Sequence, residues 1–425
     1  MCRPTLRTAK SFPGAPKKNE PVPAIVNTHI NASWLNDPTV GRLFAALGHP
    51  GVDVRFVGGC VRDALLGRSI GDIDIATPDP PSVVMQRLEQ AKIKAVPTGL
   101  AHGTLTAVVD GRGFEITTLR RDTSCDGRHA AVEFTTDWQE DARRRDFTIN
   151  AMSLTLAGEL FDNFGGQADA KAGRIQFVGA ARDRIKEDYL RVLRLFRFHA
   201  HYGRVPIDAE TLQACANLKD GLTQLSAERI RQELAKLLAA PDPLVSLAMM
   251  RECGVLNVVL PEVNAPECLA QVIIIEKSLG LPPNWILRLA AFSRPHANAH
   301  DIGTRLRLSN RESGELVALL ADQPDLAAAM PDSQIDLVLY RSGKEPILNR
   351  AILKAAGSGA WAAWEDVLRR ALNWVHLPMP IDGDDLLKLG LAGPSIGRAL
   401  RAAEEAWAAS AFRASRAELL EVAKP

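Results

Sequence analysis

The sequence predicts an α+β protein: a mixed α/β N-terminal part followed by a remainder that is helical throughout. Three observations lead there. Residues 52–57 form a β-type run that meets Gly58-Gly59, and Asp72-Ile73-Asp74-Ile75 then alternates polar and apolar as a strand does. Asp110-Gly111-Arg112-Gly113 is a hairpin signal between strand candidates 103–110 and 113–119. From Arg174 onward the apolar residues recur at helical spacing, broken only near Pro241, Pro282-Pro283, Pro331 and Pro378 to Pro380.

Composition bounds what such a chain can do. Its 425 residues allow two to four domains, and 46% hydrophobic with 24% charged residues is ordinary for a globular protein. The formal net charge of +1 means that any nucleic-acid contact must come from local basic patches. Six cysteines are scattered without CxxC spacing, which argues for reduced thiols, a cytoplasmic setting and neither a zinc site nor a disulfide framework. No apolar run approaches the roughly 20 residues of a membrane span, and no signal-peptide core appears, so no membrane partner is expected. The first 24 residues are Pro-rich and basic, and a disordered tail is expected to about residue 30, with a transit peptide as the alternative reading. Oligomeric state is left open.

Taken in order, Val40, Leu43, Phe44 and Leu47 share one helix face, with Asp37 as N-cap and Pro38 at the first helical position. The helix leads into the Gly58-Gly59 strand. A diglycine lets backbone N–H groups approach a phosphate, and a short helical pattern carrying Arg62 and Asp63 follows it. Asp72 and Asp74 fall on one face of a strand, Ile73 and Ile75 on the other, so the two carboxylates can share a hard divalent cation such as Mg²⁺. A helix capped by Ser82 is expected to about Gln90. In the second hairpin strand Glu115 lies opposite Phe114 and Ile116 in facing; it could join the Asp pair as a third carboxylate, although a solvent-facing strand Glu reads identically. Residues 120–136 show no period until Val132 and read as a mobile loop with a turn at Asp126-Gly127 that re-enters a strand.

Glu140 to Met152 then joins a basic cluster, Arg143-Arg144-Arg145, to an apolar helix start; Arg145 could grip phosphate or ribose, or the cluster could be a solvated turn. Across 181–204 basic side chains outnumber acids, and Asp188, Arg191, Arg194 and Arg197 recur every third residue. On a helix such residues form a slanting ridge, so Asp188 and Arg191 can meet one ligand while Arg197 looks elsewhere. Arg, rather than Lys, suits planar bidentate recognition. Ser226 is the expected N-cap of a helix over 227–238. His296, His300 and Asp301 have metal-like spacing but no further partner, and read as a surface helix start.

Four motifs now stand in order: Gly58-Gly59-Cys-Val-Arg62-Asp63, Asp72-Ile-Asp74-Ile-Ala-Thr, Arg144-Arg145-Asp146-Phe-Thr-Ile-Asn150-Ala, and Glu187-Asp188-Tyr-Leu-Arg191-Val-Leu-Arg194-Leu-Phe-Arg197-Phe. Together they resemble the class II CCA-adding enzymes, tRNA nucleotidyltransferases that share a head and neck with bacterial poly(A) polymerases. The resemblance is strongest over about residues 50 to 240. It implies a nucleotidyltransferase α/β head over 31–175, a helical neck over 176–240 that recognises the nucleotide base, and a helical body and tail over 241–425 that bind tRNA. By the same resemblance Asp72 and Asp74 are catalytic and hold Mg²⁺, while Gly58, Gly59, Arg62 and Arg145 hold the nucleotide. Asp188 and Arg191 read the base, with Arg194 and Arg197 completing the site.

The implied substrates are tRNA, CTP and ATP. Cytosine and adenine both present an amino donor beside a ring-nitrogen acceptor, which an Asp–Arg pair satisfies. Guanine and uracil present the pattern reversed and would leave buried groups unpaired, at about 1–3 kcal/mol each. The competing expectations are a poly(A) polymerase, an A-adding partial enzyme, and a silent RNA- or nucleotide-binding protein. The last would be expected to have lost one of the paired aspartates, and both are present.

Overall fold

The structure is a computed structural model that describes residues 25–125, 130–263, 265–293, 297–321 and 326–424. The expected tail over 1–24, the Asp126-Gly127 turn and His296 lie outside the described residues. The chain divides into two compact units after Glu187.

The first unit is built on an eight-stranded sheet. Its strands are β1 (Ile25–His29), β2 (Arg55–Val57), β3 (Asp74–Thr77), β4 (Lys94–Gly99), β5 (Thr104–Val109), β6 (Arg112–Thr118), β9 (Ser153–Leu154) and β10 (Glu159–Phe161), while β7 (Arg120–Cys125) and β8 (Ala130–Phe134) pair as a separate ribbon. The order across the sheet is β1-β10-β9-β2-β3-β6-β5-β4. All its pairings are antiparallel except β3 with β6. The helices are α1 (Pro38–Leu47), α2 (Gly59–Leu65), α3 (Pro81–Gln90), α4 (Trp138–Arg143), α5 (Gly166–Ala172) and α6 (Ala181–Glu187).

The main core gathers Val40, Leu43 and Leu47 of α1 and Val84 and Leu88 of α3 with Phe56, Ile73, Ile75, Leu105, Phe114 and Ile116. Phe56 lies edge-on to Trp34, with ring centroids 4.7 Å apart. The alternation of Ile73 and Ile75 thus buries one face and turns Asp74 to the other, where only a small cluster of Val57, Ala76 and Leu119 packs with Trp138. Local signals account for some element ends: Asp37 Oδ1 accepts the Thr39 N–H at 2.8 Å and so starts α1. At α3 the expectation fails, because Pro81 takes the first helical position and Ser82 lies inside the first turn without capping it.

Three segments depart from the sequence reading. Residues 25–29 lie within the expected tail yet form β1 against β10. In the segment 120–136 the expected return to a strand is β8, but the part before the turn is also a strand, β7, and the two pair as a ribbon in which Arg121 is joined to Glu133 at 2.9 Å. The stretch from Arg174 to Ala180 is not helical; Gly179 has φ +89°, and Phe177 forms a β-bridge with Phe147.

Among its described residues the second unit is helical throughout: α7 (Leu190–Tyr202), α8 (Ala209–Leu218), α9 (Ala227–Leu238), α10 (Leu244–Glu252), α11 (Val255–Val259), α12 (Pro266–Ser278), α13 (Trp285–Ser293), α14 (Ala299–Leu306), α15 (Asn310–Leu320), α16 (Asp332–Ser342), α17 (Lys344–Ser358), α18 (Glu365–Asn373), α19 (Gly383–Lys388), α20 (Pro394–Ala409) and α21 (Arg416–Val422). Ser226 Oγ accepts the Arg229 N–H at 3.4 Å, as expected for the start of α9. His300 lies exposed in the first turn of α14, whose cap is Asn298.

A buried ion pair fastens three of these helices. Arg288 of α13 and Glu276 of α12 are 1% and 2% exposed, with Nε donating to Oε2 at 2.7 Å. Arg288 Nη1 also donates to the Leu238 and Ala240 carbonyls that end α9, at 2.6 and 2.5 Å. Removing one partner of such a pair leaves an uncompensated buried charge, at about 3–5 kcal/mol. Glu276→Gln should therefore lower the denaturation midpoint by the equivalent of several kcal/mol in urea melts. A shift of less than about 1 kcal/mol would show that the pair contributes little net stability.

Candidate active site

In the first unit the site grows from the junction of β2, α2 and β3. Gly58 has φ +75° and ψ −130°, a conformation open to glycine and strained for L side chains. A Cβ there would stand 3.5 Å from Arg145 Nη1 and 3.7 Å from Asp74 Oδ2. Gly58 is thus the floor of a cleft with a guanidinium on one side and a carboxylate on the other. The adjacent Gly59 opens α2, where a Cβ would lie 3.5 Å from Arg62 Nη2.

The acids are crowded. Asp74 is half-buried, and burial, together with the charges of Glu115 and Asp72, raises its carboxyl above the usual carboxylate range despite the opposing pull of Arg145. Glu115 is in register with Asp74 across the parallel β3–β6 pair, and it is exposed. Asp72 precedes β3 and is also exposed. Among the described residues no three Asp, Glu, His or Cys side chains converge closely enough to enclose a metal ion. An open, oxygen-only set with excess negative charge suits a hard cation that draws its other ligands from water or phosphate.

Arg145 is held in place from behind. Its Nε and Nη2 donate to Asp141 Oδ2 at 3.3 and 3.1 Å, while Arg144 donates to Asp141 Oδ1 from Nε at 3.0 Å and Nη2 at 2.8 Å. Asp141 is 2% exposed; burial would push its carboxyl up, but Arg145 and Arg144 overcome this and hold it low. The Arg120 backbone N–H adds a bond to Asp141 at 3.2 Å, so the β7–β8 ribbon is joined to the same carboxylate.

Arg62 is 6% exposed, and its fork is engaged: Nε and Nη2 donate to Asp63 at 3.1 and 2.8 Å, and Nη1 to Asn150 Oδ1 at 2.7 Å. Asn150 Nδ2 in turn donates to Asp146 Oδ1 at 3.1 Å. Arg62 therefore ties the glycine turn to the Arg145–Asn150 segment.

In the second unit, Asp188 is not on a continuous helical ridge. The chain leaves helix at Asp188-Tyr189 before α7 begins, and Asp188 Oδ1 accepts the Leu190 N–H at 3.1 Å, an N-terminal role that suits aspartate. Its Oδ2 accepts from Arg229 Nη2 at 2.8 Å. Tyr189 is seated on Gly221, where a Cβ would lie 2.1 Å from the ring. Arg191, Arg194 and Arg197 are half-buried along α7. Arg194 and Arg197 converge on Glu233 of α9, at 3.9 and 2.8 Å, and Glu233 is 6% exposed. Asp141, Arg229 and Glu233 escaped the sequence reading, although Asp141 stands three and four residues before the arginines it holds, the spacing of neighbours on a helix.

Residues 54–176 match the poly A polymerase head domain family, and residues 205–266 the family described as the probable RNA and SrmB-binding site of polymerase A. The chain is 36% identical over 399 residues to the mitochondrial CCA tRNA nucleotidyltransferase 1 of Mus musculus, covering 90% of this chain and 88% of that protein. It is 33% identical over 374 residues to the CCA-adding enzyme of Geobacillus stearothermophilus, covering 83% and 88%. Among solved structures, the Bacillus stearothermophilus CCA-adding enzyme in complex with CTP is similar with a TM-score of 0.66 at 27% identity, over 91% of this chain and 98% of that one. Similarity of this extent, together with the four ordered motifs, shows that the chain belongs to the class II CCA-adding enzymes, the CCA tRNA nucleotidyltransferases.

Proposed function

We propose that the chain adds C, C and A to the 3′ end of tRNA from CTP and ATP, without a nucleic-acid template. The observation that carries the chemistry is Asp74 facing Arg145 across Gly58, with Asp72 and Glu115 charging the same face. The reaction is an in-line attack of the RNA 3′-hydroxyl on the nucleotide α-phosphate with release of pyrophosphate. Asp72 and Asp74 would hold Mg²⁺, whose preference for oxygen ligands matches their carboxylates. Bound there, the ions would activate the attacking hydroxyl and neutralise charge developing on the leaving group. Arg145, fixed by Asp141, counters phosphate charge. Gly58 leaves the space in which a phosphate can approach the backbone. Glu115 acts through the field it adds at Asp74.

For the base we propose Asp188 as acceptor and Arg191 as donor. Each Asp188 oxygen keeps a second lone pair beyond its bonds to Leu190 and Arg229. Arg194 and Arg197, anchored on Glu233, are assigned to orienting that edge. The 31–175, 176–240 and 241–425 divisions into head, neck, and body with tail are retained as the functional map. No helix among the described residues is long and apolar enough to cross a membrane. Cys60, Cys215 and Cys253 are free thiols, which supports a reducing compartment, and the cytoplasm is our proposal.

Three measurements follow. Primer extension on tRNA transcripts ending before CCA, after CC, and complete should give two C additions, then one A, then arrest. An open ladder with ATP alone would make the chain a poly(A) polymerase, and no extension a silent binding protein. Asp188→Ala should lose discrimination of CTP against UTP by about 1–3 kcal/mol, roughly 5- to 150-fold in relative kcat/KM; unchanged selectivity would remove Asp188 from base reading.

The third measurement concerns Asp74. A carboxyl raised in the folded state binds protons that the unfolded chain releases, so its ionisation costs stability as pH rises through that range and above. Asp74→Asn should therefore raise the melting temperature of the metal-free protein at neutral pH while abolishing nucleotide addition. A lowered melting temperature would contradict the strain assigned to the acid cluster.

A further inference from the structure

One residue of the second unit stands in a backbone conformation that its side chain opposes. Arg307, which follows α14, has φ +47° and ψ +55°. Its N–H and that of Leu308 turn back on the helix, donating to the Thr304 carbonyl at 3.3 Å and the Gly303 carbonyl at 3.0 Å. This is the left-handed position at a helix end where glycine is preferred, because an L side chain is strained there.

From that position the arginine reaches α9. Its Nη1 donates to Glu228 Oε1 at 2.8 Å, and its carbonyl accepts from Arg231 Nη1 at 2.9 Å. Arg231 Nη1 also donates to Glu312 Oε2 at 3.2 Å, and the same oxygen accepts the Ser309 N–H and hydroxyl that start α15, each at 2.8 Å. The turn between α14 and α15 thus holds the start of α9 at two side chains on one helix face, Glu228 and Arg231. The Arg307 and Glu228 side chains are 69% and 42% exposed, so their pairing adds little stability. A strained residue that stabilises so little points to what it positions.

The same turn of α9 carries Arg229. Its N–H donates to the Ser226 hydroxyl at 3.4 Å, and its Nη2 donates to Asp188 Oδ2 at 2.8 Å. Asp188 Oδ1 meanwhile accepts the Leu190 N–H at 3.1 Å. The terminal torsion of an aspartate is broad, so a carboxylate held at one oxygen can still swivel. The bond from Arg229 removes that freedom and decides where the remaining lone pairs of Asp188 point.

We propose that the turn between α14 and α15 is a remote specificity determinant: Arg307 positions the first turn of α9, and Arg229 of that turn positions Asp188 for base reading. The proposal rests on the assignment of Asp188 as base acceptor. Both arginines are positioning residues and act through Asp188.

Relative kcat/KM for CTP against UTP, measured by single-nucleotide extension of a tRNA transcript lacking CCA, tests this. The ratio cancels changes in tRNA affinity, because both nucleotides meet the same enzyme and the same tRNA. Arg229→Ala should lower it about 10-fold, and Arg307→Gly about 2- to 5-fold. Glycine suits φ +47°, so Arg307→Gly should hold or raise the melting temperature while selectivity falls, two effects that a merely structural residue would not separate. Glu228→Ala should give the same loss and keeps the test valid should Arg307→Gly fail to fold. In an Asp188→Ala background none of these substitutions should lower the ratio further. Wild-type selectivity in a folded Arg307→Gly protein overturns the relay, as does an added loss in the Asp188→Ala background. Selectivity lost in Asp188→Ala but kept in Arg229→Ala overturns the positioning role and leaves the base reading standing. Selectivity kept in Asp188→Ala itself overturns the base reading, and the relay with it.

Discussion

Everything in the catalytic half depends on keeping negative charges together that would otherwise separate. Asp74 is half-buried beside Asp72 and Glu115, and Arg145 is the cation that pulls against them. Left to itself, such a side chain would relax toward water. The sheet prevents this: Ile73 and Ile75 are locked into the core on the opposite face, and the parallel β3–β6 register sets Glu115 beside Asp74. Backbone pairing and apolar burial thus maintain an arrangement that electrostatics alone opposes, a local cost common at sites shaped for function rather than stability.

The same division of labour recurs among the arginines. None of those named in the site is a bare charge. Arg145 leans on Asp141, Arg62 on Asp63 and Asn150, and Arg194 and Arg197 on Glu233. An arginine with one edge occupied loses less rotamer freedom when a ligand takes the other, so the acids behind contribute preorganisation although they touch no substrate.

How much of this could be read from the chain follows from the range of each interaction. The alternation at Asp72 to Ile75, the Asp37 and Ser226 caps and the hairpin over 104–118 are local, and local patterning found them. Glu115 stayed ambiguous because its place beside Asp74 comes from pairing between strands about forty positions apart in sequence, which no short window contains. Strand β1 was hidden because its partner, β10, lies more than a hundred residues away. The ridge through Asp188 was misread for the opposite reason: periodicity continued through a point where an aspartate beside the first turn competes for backbone N–H groups and ends one helix as it begins the next. The motif resemblance supplied roles that geometry could not, and Asp141 and Glu233 lay outside the residues it named.

Tyr189 resting on Gly221 gives the second unit an economical control point. The ring follows Asp188 directly in the chain and lies against the Gly221 backbone, with no room for a methyl group. Genetic variation at Gly221 would consequently displace the segment that carries the proposed base reader without altering a single polar group in it. If Asp188 reads the base as proposed, the fidelity of the terminal trinucleotide would have a determinant invisible to any survey of contacting residues: an inherited change there would present as miswritten tRNA ends in a protein whose catalytic motifs are intact.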